Sequence, residues 1–182
     1  GVEQIDDWSF RRSNWFDHVG KECLNVQNNV GILDMTAFAK CRISGPGAKD
    51  FLDSLVANKL PQKNGRVNLC HALNTKGGVH SEFTIAKESD DSFYLVSAGA
   101  FQRLDHDWIK KWMPNDRSIT FENLTNSIGV LVVAGPKSRD LLSKISNADF
   151  SNKAFPWLSA QKIDIGLAPS IAMRMNFVGE LG

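Results

Sequence analysis

Two thirteen-residue stretches of this chain are near copies, and they constrain the fold more than anything else in it. ISGPGAKDFLDSL occupies 43–55 and VAGPKSRDLLSKI occupies 133–145. In each, an apolar strand-like run enters a Gly-Pro step, where glycine tolerates positive φ and proline ends the ladder of backbone donors. Apolar residues at helical spacing follow: Ala48, Phe51, Leu52, Leu55 and Val56 in the first copy, Leu141, Leu142 and Ile145 after Ser138 in the second. Asp50 and Asp140 fall at matching places in the first turn, where the helix dipole favours an anion, and Pro46 suits the first helical position. Ninety residues separate Gly45 from Gly135, so the chain reads as a duplicated strand–turn–helix unit within two related subdomains. Neither copy carries GxxxxGK followed by Ser or Thr, so both steps are structural and not phosphate loops.

The rest of the pattern agrees with a layered fold. Residues 15–28 form an expected helix with Phe16, Val19 and Cys23 on one face. Strands are expected at 38–44, 66–73, 79–86, 92–97, 118–123 and 128–133. A closing hairpin pairs 161–165 with 170–178, placing Ile171, Met173, Met175 and Phe177 on one face. A helix over 101–112 carries Phe101, Leu104, Trp108, Ile109 and Trp112 on one stripe, read here as core. Strands come in runs instead of alternating with helices, which predicts an α+β fold with mainly antiparallel sheets. Residues 1–14 read as a polar linker. The apolar strand running into FVGELG predicts more chain beyond Gly182.

Composition excludes some partners. Net charge is +1 with no basic block, so no nucleic-acid partner is expected. No apolar run approaches bilayer length, so no membrane partner is expected either. Cys23, Cys41 and Cys70 lack any CxxC spacing, so no zinc site is expected. Each sits among apolar residues and reads as a buried free thiol, which suits the cytoplasm or, in a eukaryote, the mitochondrial matrix.

The chemistry is best sought in NTKGGVHSEFTIA, residues 74–86. Asn74 and Gly77-Gly78 make a turn, and an alternating strand follows. Val79, Ser81, Phe83 and Ile85 point one way, and His80, Glu82, Thr84 and Ala86 the other. Glu82 reads either as an ordinary solvated acid or as one held for binding or proton transfer by a rigid strand. Asp34, between Leu33 and Met35, reads either as a partly buried acid in need of donors or as a turn cap.

GILDMTAFAKCRISGPGA, NTKGGVHSEFTIAK, LVVAGPKSRDLL, ADFSNKAFPW and AMRMNFVGELG occur in this order. Together they resemble the folate-binding module of dimethylglycine and sarcosine dehydrogenases and oxidases, itself similar to the aminomethyltransferase (T-protein) of glycine cleavage. The resemblance spans about residues 16–182. It implies a clover-like module with tetrahydrofolate in a central opening, this chain (15–182) lacking the C-terminal lobe. It also implies capture of an iminium or formaldehyde carbon, released from an oxidised N-methyl amine, as 5,10-methylenetetrahydrofolate. FAD would belong to a separate oxidoreductase domain, in cis or in trans, since no GxGxxG occurs here.

By the same resemblance Glu82 matches the catalytic acid after the Gly-Gly turn, Glu180 the acid that binds the pterin, and Asp34 the acid of an early DMS or DMT block. Phe177 and Leu69 match folate-contacting positions where the family commonly has Tyr. Glu82 stands where Asp is usual, one methylene longer. His80, on the same expected strand face, could tune it. Two other functions stay open: a non-catalytic docking module that kept the fold, and a folate-dependent demethylase of a sulfonium substrate.

Overall fold

The structure is a computed structural model that describes residue 3, residues 8–176 and residues 179–182. Helix α1 (Phe16–Asn28) leads into strand β1 (Gly31–Asp34). Strand β2 (Ala39–Ser44), helix α2 (Ala48–Leu55) and strands β3 (Val67–Leu73), β4 (Val79–Ser89) and β5 (Ser92–Ser97) follow. Helix α3 (Gln102–Trp112), strands β6 (Thr120–Asn123) and β7 (Leu131–Ala134), and helix α4 (Ser138–Leu142) come next. The hairpin of β8 (Ser159–Ile165) and β9 (Ala168–Arg174) closes the order.

The central sheet has the order β3-β4-β5-β2-β6, and every pair in it is antiparallel. β1 pairs with β7, and β8 with β9, as two further antiparallel ribbons. The α+β expectation therefore holds.

One face of the central sheet is the main core. Cys41, Ile43, Cys70, Ala72, Phe83, Ile85, Phe93 and Leu95 pack beneath Phe51, Leu52 and Leu55 of α2 and Ile109 of α3. The other face is covered only in part, by a smaller cluster of Val67, Ala86, Tyr94 and Leu124 with Ile128, Ala160 and Met173. Burial pushes the Cys41 thiol up to about 12 and Cys70 up to about 11, so neither is a nucleophile at neutral pH.

The two Gly-Pro steps are one device used twice. Gly45 and Gly135 have φ of 117° and 126°. Each lies against a backbone carbonyl of another segment, Ser118 O for Gly45 and Asn29 O for Gly135, where a Cβ would collide. The same carbonyl accepts the N–H two residues on, from Gly47 (3.3 Å) and Lys137 (2.9 Å) respectively. The helix-starting N–H of Ala48 and Ser138 then returns to the glycine carbonyl at 2.9 and 3.0 Å. The duplication thus preserves a backbone crossing, which explains why glycine stands at both places. Pro46 lies in the turn before α2, whose N-cap is Gly47, and not at its first helical position.

Several expectations need correction. Cys23 is exposed, because α1 buries none of its residues. In α3 the buried residues are Asp105, His106 and Ile109. Of the expected stripe only Ile109 is fully buried, while Phe101, Leu104 and Trp112 are about half exposed. α4 stops at Leu142, leaving Ile145 outside it, and β9 stops at Arg174.

Arg42 ties the strands of the sheet together. Its Nε and Nη2 donate to Glu88 on β4 (2.7 and 3.2 Å), and its Nη1 to Glu122 on β6 (2.8 Å). Burial alone would raise the Glu88 carboxyl. Hydrogen bonds from Arg42 and Ser92, with the Arg42 charge, outweigh it and hold Glu88 below the usual carboxylate range. A group with a lowered folded pKa adds stability above its unfolded pKa and loses it as pH falls through the folded value. Glu88→Gln should therefore cost about 1–3 kcal/mol at neutral pH, less than a fully buried pair. The gap between wild type and variant should begin to close as pH falls through the ordinary glutamate range, roughly pH 4, and vanish only below the lowered folded value, which unfolding curves across pH will check.

Candidate functional site

The β3–β4 turn forms as its residues dictate. Asn74 Oδ1 accepts the N–H groups of Lys76 (2.9 Å) and Gly78 (3.1 Å), and Gly77 takes φ 80°. Leu73 then pairs with Val79, but Ala72 pairs with Ser81 and His71 with Glu82. His80 is the extra residue of a β-bulge. It does not share the face of Glu82: its ring stacks on Trp108 of α3 at 4.0 Å, and its Nδ1 bonds Ser81 Oγ at 2.8 Å. His80 is therefore turned away from Glu82, and the histidine beside that acid is a different one.

That histidine is His71. Its Nε2 lies 2.9 Å from Glu82 Oε2, and since a carboxylate only accepts, the ring nitrogen is the donor. Both side chains are open to solvent, His71 at 37% and Glu82 at 55%. One register row away, Leu69 pairs with Thr84, Thr84 with Val96, and Val96 with Lys40. Leu69, His71, Glu82 and Thr84 therefore share the sheet face opposite the main core, and Leu69 is half exposed there. β4–β5 pairing begins at Thr84, so the face beside Glu82 is open on that edge.

Lys40 ends the Leu69 row, three strand spacings or about 14 Å away. It is fully buried, and its Nζ donates to Thr36 O at 2.7 Å. Burial pulls its pKa down, and the Asp34 charge opposes that. Asp34 itself is exposed, not partly buried: it caps the turn after β1, accepting the Thr36 N–H at 2.8 Å. Hydrogen bonds from the Thr36 side chain and backbone, with the Lys40 charge, hold its carboxyl below the usual range.

Glu180 lies beside the second Gly-Pro step. The neighbouring Leu181 carbonyl accepts from Gly135 N (2.9 Å) and Ser138 Oγ (3.2 Å). Phe177 lies outside the described residues. The structure thus groups Glu82 with Leu69 on the central sheet and places Asp34 and Glu180 along the β1–β7 ribbon. An open trough of about 610 Å³ runs between Thr36, Gln102, Thr125, Asn126 and Ser127. It does not reach Glu82, and it holds no carboxylate or imidazole, so the open sheet face carries more chemistry. Among the described residues no cluster of His, Cys, Asp and Glu is fit to hold a metal, and no helix is long and apolar enough to cross a membrane.

Comparison with known proteins decides the family. A family model described as the GCVT N-terminal domain matches residues 4–182. The chain belongs to the GCVT N-terminal domain family. Relatives of this GCVT domain include "Dimethylglycine dehydrogenase, mitochondrial" of Mus musculus, 37% identical over 96% of this chain and 20% of the relative. "Pyruvate dehydrogenase phosphatase regulatory subunit, mitochondrial" of the same organism is 30% identical over 96% of the chain and 20% of the relative. The chain thus spans about a fifth of the length of the curated relatives it matches. Its fold is that of the glycine cleavage system aminomethyltransferase T from Bartonella henselae, with a TM-score of 0.73 and 19% identity over 88% of this chain and 42% of that one.

Proposed function

We propose that this GCVT domain binds tetrahydrofolate and serves as the one-carbon acceptor of an enzyme that oxidises dimethylglycine or sarcosine. The observation that carries this reading is Glu82: an acceptor-only carboxylate on a rigid strand, beside the half-exposed apolar Leu69. A flat ring with N–H donors on its edge suits such a face, so the residues present fit a folate. When bound, the folate supplies the nucleophilic nitrogen that accepts the carbon.

This chain's part is to position and to manage protons. Iminium and tetrahydrofolate give methylenetetrahydrofolate, the demethylated amine and one proton. Glu82 takes the proton released at the attacking amine and favours positive charge beside it. Glu180 accepts N–H bonds from the pterin edge, where a carboxylate can bind two neighbouring donors at once. Leu69 offers apolar contact to the ring, while Asp34 lies apart from it on the β1–β7 ribbon, paired with Leu131. An FAD centre in a separate domain or partner would supply the oxidation of the amine, and the relative's name suggests a mitochondrial location.

A second reading is a non-catalytic module, favoured by the regulatory subunit among the relatives. Melting the full-length protein with and without tetrahydrofolate separates the two. At a hundredfold excess over Kd, binding adds about 2.7 kcal/mol and raises the transition of this domain. An unmoved transition favours the non-catalytic reading.

A further inference from the structure

We propose that His71 is a positioning residue for Glu82, an inference that rests on the acceptor role given to Glu82 above. A glutamate has one more rotatable bond than an aspartate, so an exposed one ranges over more positions and must be ordered before it can act. His71 removes that freedom. The two residues are direct cross-strand partners, and Nε2 holds Oε2 at 2.9 Å while Oε1 is left to accept from a ligand.

The histidine is itself firmly placed. The backbone of β3 is held on both edges around it: by β4 on one side, and on the other by Ala57 N donating to His71 O (2.9 Å), Asn58 Nδ2 donating to Leu69 O (2.6 Å) and the Val56–Ala72 bridge. The bulge at His80 aligns the pair, since a regular ladder with His80 opposite Ala72 would put Glu82 across from Cys70 in place of His71. An exposed histidine–carboxylate contact contributes little to folding. The pair's effect therefore falls on the geometry of the carboxylate and not on the stability of the sheet.

The test uses the full-length protein with dimethylglycine and tetrahydrofolate. The readout is methylenetetrahydrofolate formed per amine consumed, with the melting temperature followed alongside. His71→Ala should lower the yield roughly tenfold, about what one hydrogen bond to a charged group is worth, with no change in melting temperature. His71→Gln, which can present an amide N–H near the position of Nε2, should recover most of it. Glu82→Gln and the double variant should give equal yields, because removing the clamp matters only while the carboxylate is there. A wild-type yield from His71→Ala beside a depressed one from Glu82→Gln overturns the clamp and leaves the acceptor role standing. Full additivity in the double variant also overturns it. A wild-type yield from Glu82→Gln removes the acceptor role itself, and the clamp with it.

Discussion

Glu82→Gln should lower the capture of the amine's methyl carbon on tetrahydrofolate by about a hundredfold, the low end of what a positioned general base contributes. The amide keeps nearly the size of the side chain and can still meet His71, but it cannot take up a proton or offset a positive charge. Folate affinity should fall much less than the rate, because Leu69 and Glu180 would still contact the ring. Carbon that is no longer captured should emerge as formaldehyde. Rapid-mixing kinetics of methylenetetrahydrofolate formation in the full-length protein will check this. A rate within twofold of wild type would place the proton elsewhere.

The second large effect concerns the strand that carries this acid. Phe83 follows Glu82 and points the opposite way, 1% exposed among Cys70, Ile85 and Phe93. Phe83→Ala should cost about 3–5 kcal/mol, the sum of lost transfer energy and the cavity left behind. Leu69→Ala, on the open face and 47% exposed, should cost under about 1 kcal/mol, as surface changes do. Denaturant midpoints of the two variants give the comparison. Equal costs would mean that the two faces of this sheet have been assigned the wrong way round, and that Glu82 is not where a ligand can meet it.

The main elements could be read from residues alone, because their periodicity and breakers are local. The two Gly-Pro steps, α2, α3 and the alternation of Phe83 and Ile85 all depend on neighbours within a few positions. What could not be read is pairing. The bulge at His80 follows from a conflict between two strands: Leu73 must meet Val79 across the turn, while inward-facing Ala72 and Cys70 must meet inward-facing Ser81 and Phe83. One surplus residue resolves that conflict. Only a reader who already knew both inward sets could have placed it, and with it His71 opposite Glu82.

Lys40 was hidden for the same reason. Nothing in FAKCRIS marks a lysine for full burial; its contact with Thr36 and the nearby Asp34 comes from the chain folding back between β1 and β2. The aromatic stripe of α3 follows from helical spacing, which does not set the direction the stripe faces. The helix turns Ile109 fully to the sheet, while Trp108 serves as a platform for His80. In α1 the helical spacing was sound, but no other described element covers that face.

The fate of the carbon is the most direct test of the function assigned to this GCVT domain. Dimethylglycine labelled in its methyl carbons is given to the full-length protein with and without tetrahydrofolate, and the label is followed into formaldehyde and methylenetetrahydrofolate. Predominant label in methylenetetrahydrofolate when folate is present, shifting to free formaldehyde in Glu82→Gln, is the predicted result. Label leaving as free formaldehyde at the same rate with and without folate would contradict it.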